Sequence, residues 1–80
     1  MFPAHAYHIR YATFGDLPAV RRLMELNRQR IFGGPALIGE IEGAVAAAAS
    51  LSGGRVLVDP FQDTKTLKEL LLVRRQAMRN

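Results

Sequence analysis

The apolar positions of the first third of the chain change period once. Tyr7–Thr13 reads YHIRYAT, in which Tyr7, Ile9 and Tyr11 point one way and His8, Arg10 and Ala12 the other. Alternation built from aromatic and β-branched residues predicts a strand. Beyond it, Leu17, Val20, Leu23 and Met24, widened by Leu26, form a stripe at helical spacing, with Arg21, Arg22, Glu25, Arg28 and Gln29 mostly on the wet side. Asp16 is the expected N-cap, and Pro18 suits the first turn, where its missing N–H costs nothing. The spacing predicts a helix over 16–30.

FGGP at 32–35 breaks the pattern. The stretch ALIGEIEGAVAAAASLSGGRVLV then admits two readings. Ala46–Ala49 favour helix by intrinsic propensity. The Glu42-Gly43 turn signal before them and SGG after them leave about eight residues, a length that suits a strand. We expect three strands at 36–42, 45–52 and 55–59, with a helical alanine run as the alternative. A last helix is expected over 64–79. Thr66 with Glu69 fits a capping box, and Asp63 is a competing N-cap. Leu67, Leu70, Leu71 and Met78 share its apolar face, with Val73 and Ala77 at the edge. Arg74 projects from that stripe and must snorkel or pair with Glu40, Glu42 or Asp59. Leu72 is expected to be exposed or at an interface. Arg74, Arg75 and Arg79 suit the negative helix end. The order β-α-β-β-β-α predicts an α+β fold, a mostly antiparallel four-stranded sheet packed with two helices.

Eighty residues make one domain, 1–80, with 1–6 read as a flexible tail. A domain this small buries only roughly 60% of the surface its unfolded chain exposes, so its stability margin is thin. With no cysteine, disulfides and thiolate metal sites are excluded, and oligomerisation is the expected support. The net charge of +4, carried mostly by arginine, suits an anionic partner or simply solvated helix faces. MFPAHAYHIR does not read as a secretory signal, and GAVAAAA falls far short of the roughly 20 residues that span a bilayer. A cytoplasmic protein without membrane contact is the expectation.

HIRYATFGDLPAVRRLMEL, ALIGEIEGAVAAAASL and GGRVLVDPF, in that order and spacing, resemble the N-terminal half of the GNAT-type N-acetyltransferase family over residues 8–62. The resemblance implies acetyl-CoA binding after the fourth strand, through a loop whose glycines let backbone N–H groups close on a pyrophosphate at a helix start. The corresponding positions are Val58, Gln62, Thr64 and Lys65. Lys65 and Leu67 stand where the family has Gly and Gly or Ala, and Asp59 and Asp63 bring negative charge. The family's remaining strands, which complete the cleft, have no counterpart before Asn80. The expectation is therefore a non-catalytic, acetyltransferase-like assembly domain without a cofactor. It would pair, as a homodimer or with another protein, through the edge Arg55, Val56, Leu57 and Val58. The alternative is an N-acetyltransferase that binds acetyl-CoA in a cleft completed by another chain.

Other chemistry is weaker. His5 and His8 lack a third metal ligand in the pattern. Glu40 and Glu42, two apart on a strand, share a face but have no nucleophile or metal motif beside them. Ser50 and Ser52 have no elbow glycines, and GGP and SGG match no phosphate loop. A nucleic-acid reading rests on Arg21, Arg22, Arg28 and Arg30 in the first helix and Lys65, Lys68, Arg74, Arg75 and Arg79 in the last. No DNA-binding motif accompanies them, and stacking aromatics are few.

Overall fold

The computed structural model describes Pro3, residues 6–30 and residues 32–79. Strand β1 (Tyr7–Tyr11) leads through a 3-10 turn (Phe14–Asp16) into helix α1 (Leu17–Leu26). Strands β2 (Ala36–Ile41), β3 (Ala44–Ser50) and β4 (Val56–Val58) follow, then helix α2 (Lys65–Arg79). The fold is α+β, and the four strands lie in chain order in one sheet with every neighbouring pair antiparallel. Ala6, expected in a loose tail, is buried, and its carbonyl accepts from the Glu42 amide at 2.7 Å.

Strand alternation sorts the core into two layers. Leu37, Gly39 and Ile41 of β2 face α2, together with Ala47 and Ala49 of β3, and receive Leu67 and Leu71. Ile38, Ala48 and Leu57 face the other way and receive Leu23 of α1. The two helices therefore cover opposite faces of the sheet. Ala46–Ala49 are a strand, each wholly buried. The middle of a strand sandwiched between two helices has no wet face, so its side chains are apolar there and small ones let both helices approach.

The β2–β3 turn is Glu42-Gly43, both with positive φ, 51° and 84°. This two-residue connection matches the twist of the flanking strands, as type I′ turns do. Glu42 thus sits in the turn, exposed, and does not share a strand face with Glu40. The β2–β3 register shifts between Gly39 and Glu40, which leaves Ala46 as an extra residue in β3. Its carbonyl accepts from Asp59 N at 2.8 Å.

The capping bonds of both helices and the end of α1 differ from expectation. Asp16 holds the N-cap position of α1, as expected, but its side chain makes no cap bond to that helix. Its carboxylate turns back to accept from Thr13 N at 2.7 Å, so Thr13 opens the helical segment and Asp16 closes the box three residues on. α1 stops at Leu26 rather than residue 30. Arg28 N bonds to Glu25 O and Gln29 N to Met24 O, with Arg28 at φ 55°. That is a Schellman ending with arginine where glycine is usual, so the sequence carries no stop signal. α2 begins at Lys65, with Thr64 O accepting the first intrahelical bond from Lys68 N. Thr66 therefore lies inside the helix and is not its cap.

Candidate functional site

The turn after β4 was the strongest chemical candidate, and its geometry is governed by Asp59. That side chain is buried and accepts from Phe61 N at 2.9 Å, Arg22 Nη1 at 3.2 Å and Gln62 Nε2 at 3.4 Å. Gln62 N bonds to Asp59 O, and Lys65 N to Asp63 Oδ1 at 3.4 Å. Amides that a phosphate cradle would offer outward are thus engaged by the turn's own aspartates. Burial pushes the Asp59 carboxyl up, but the Phe61 amide and Arg22 outweigh it and leave the group below its ordinary value. A fixed anion held there opposes a second one. Gln62 and Lys65 are exposed, and Val58 and Thr64 half-buried. The four run from the end of β4, through the turn, to the first residue of α2.

The edge residues Arg55–Val58 do lie on an outer strand, since β4 pairs only with β3 among the described residues. The strand is short and partly covered. Leu57 is buried against α1. Asn27 Nδ2, at the end of α1, donates to Val58 O at 2.9 Å and to Leu23 O at 2.7 Å. Arg55 bonds to Gln29, and Arg75 Nη1 reaches the Ser50 and Arg55 carbonyls at 3.4 Å.

The tightest electrostatic arrangement joins β1 to the start of α1. The Arg10 guanidinium forks onto Asp16 at 2.7 and 2.8 Å and reaches Glu40 Oε2 at 3.3 Å. His8 Nδ1 lies 3.1 Å from Glu40 Oε1. Every member of this group has a partner, and it holds the Thr13–Asp16 turn against the sheet. The sequence does not show it because Arg10 and Asp16 belong to separate elements that only the fold brings together. His5 lies outside the described residues, and among those described no cluster of three His, Cys, Asp or Glu could hold a metal ion.

The exposed apolar surface is the other feature not foreseen. Leu70, expected in the core, is 43% exposed, and Val73 is 69% exposed. With Ala77 and Arg74 they face Tyr7, His8 and Ile9 of β1 across an open cleft of about 390 Å³. Met78, also expected inside, is partly exposed. The reason is geometric: Leu67 and Leu71 alone meet the sheet, while Leu70 and Val73 overhang its β1 side. Arg74 finds neither Glu40, Glu42 nor Asp59 and remains exposed among the described residues. Leu72 is half-buried, and the side chain of Arg79 lies outside the described residues. A second cleft of about 350 Å³ lies between Phe14, Leu17 and Val20 and the loop Phe32–Pro35.

The basic residues do not form one surface. Those of α1 and α2 lie on opposite sides of the sheet, and Arg22, Arg55 and Arg75 are engaged as described. Ser50 and Ser52 sit with their hydroxyls 3.5 Å apart, and Ser50 Oγ accepts from Gly53 N, shaping the turn. No helix among the described residues is long and apolar enough to cross a membrane. No family model matches this chain, and no curated protein or solved structure matches it.

Proposed function

We propose that this chain is a small assembly domain, acetyltransferase-like in its strand and helix order and non-catalytic, that self-associates through an open edge of its sheet. The observation that carries the reading is the pairing of two facts. The sheet has two open edges among the described residues, and the turn where the resemblance implies acetyl-CoA is occupied by its own Asp59. Open edges present unpaired N–H and C=O groups to any strand that can add to them. A two-fold pair is the simplest closed arrangement. A standard interface covers about 800 Å² per partner. That is about 15% of the 5251 Å² accessible here, an extent one flank of the molecule can supply.

The test is size in solution together with cofactor titration. Light scattering of the intact chain at tens of micromolar is expected to give a dimer, and calorimetric titration with acetyl-CoA to give no saturable heat. A monomer overturns the assembly reading. Saturable acetyl-CoA binding weakened by Lys65→Glu returns the chain to the acyltransferase class.

A further inference from the structure

Building on that reading, we infer that the seam is not β4 but the β1 edge together with the overhanging flank of α2, and that its occupant is a second copy of this chain. The two edges are unequal. β4 has three residues and β1 has five; each has one carbonyl taken by a side chain, Val58 O by Asn27 and Tyr11 O by Arg10. The ladder of β1 to β2 is framed by Glu42 N donating to Ala6 O and Ala12 N donating to Ala36 O. Antiparallel ladders alternate, so the residues that bond inward are 6, 8, 10 and 12, and the backbone groups of Ile9, between them, face outward.

The side chains fit self-pairing. Tyr7, Ile9 and Tyr11 share the α2 face of β1, and Tyr11 is 60% exposed. A two-fold axis through Ile9 sets Ile9 opposite the partner's Ile9 and Tyr7 opposite the partner's Tyr11. Same-face aromatic pairs across antiparallel strands are favourable. The same axis runs the two α2 helices antiparallel on one face of a continuous eight-stranded sheet, with Leu70 and Val73 of each overhanging the join. This flank is the apolar one; the flank of α2 toward β4 carries Arg75 instead. Charge also fits. Arg74 and Glu69 lie exposed on α2, neither with a salt-bridge partner among the described residues. Antiparallel helices bring the acidic residue of one copy toward the basic residue of the other. A two-fold contact closes, whereas pairing β1 with the β4 edge of another copy would propagate into a filament.

The chain has no cysteine, so single cysteines report the seam directly. In a hydrogen-bonded antiparallel pair the Cα atoms lie about 5.5 Å apart, within disulfide range. Ile9→Cys is expected to cross-link most of the protein into a covalent dimer on mild oxidation, and Val56→Cys on β4 to cross-link less than a tenth of it. Because Ile9 is half-buried, Val73→Asp, at an exposed site, is the independent variant. It is expected to weaken dimerisation at least tenfold by sedimentation with an unchanged circular dichroism spectrum. A dimer that cross-links through Val56→Cys and not Ile9→Cys, or one indifferent to Val73→Asp, overturns this seam and leaves the assembly reading standing. A monomeric wild type overturns both.

Discussion

Leu67 of α2 lies directly over Gly39 of β2: a β-carbon at Gly39 would stand 2.9 Å from Leu67 Cδ1 and 3.1 Å from its Cγ. The helix is seated at this point because the strand beneath has no side chain. Gly39→Ala is expected to lower stability by about 1–3 kcal/mol through overpacking. Leu67→Ala alone should cost about 2–5 kcal/mol by leaving a cavity. The double variant should be more stable than the sum of the two losses implies, because the new methyl fills part of the space vacated. Urea denaturation of the three variants measures this, and strict additivity would refute the contact.

Acid should act through Asp16 first. The Arg10 fork, then the Thr13 amide, hold its carboxyl well below the usual carboxylate range, against burial, which pushes it up. The folded protein therefore binds that proton less readily than the unfolded chain. The resulting stability is fully present above the unfolded value, about pH 4. It declines as the pH falls below that and is exhausted only once the pH has dropped through the lower folded value. Asp59 contributes with the same sign. The acid denaturation midpoint should therefore lie below about pH 4. Asp16→Asn should start about 1.5–3 kcal/mol lower at neutral pH, the scale of a charge-assisted bond, and show a shallower acid slope. An equal slope in wild type and variant would remove Asp16 from the account.

Two exposed residues hold left-handed backbone without being glycine or asparagine: Arg28 at φ 55° and Glu42 at φ 51°. Arg28→Gly and Glu42→Asn are each expected to stabilise by roughly 0.5–1 kcal/mol, by relieving the steric cost of that conformation. Thermal melts of the single and combined variants check this. Additive gains are expected, since the two sites lie in separate turns. A loss in Arg28→Gly would mean that the arginine side chain contributes more than its backbone costs.

The element order and the sheet class were legible in the residues themselves. Alternation in YHIRY, the stripe of Leu17, Val20 and Leu23, and the spacing of the turns around Ala46–Ala49 are local signals. They set strand or helix before any packing is known. The weaker boundary readings failed where a side chain serves a distant group instead of its neighbour. Asp16 looks like a helix cap in isolation, but Arg10, six residues earlier, draws its carboxylate back. The helical spacing carries α1 on through Arg28 because a Schellman ending without glycine leaves no mark in sequence.

For the candidate site, the missing glycines after Val58 were already visible along the chain. That Asp59 turns inward to hold Phe61 N and Arg22 was not, because Arg22 lies 37 residues away and meets it only where α1 packs beside β4. Leu70 and Val73 carry the same helical period as Leu67 and Leu71. Periodicity by itself determined which residues form the apolar side of α2. Only the tertiary structure decided which of them meet the sheet and which overhang its β1 edge, because a helix axis laid across a narrow sheet buries one part of its stripe and leaves the rest outside.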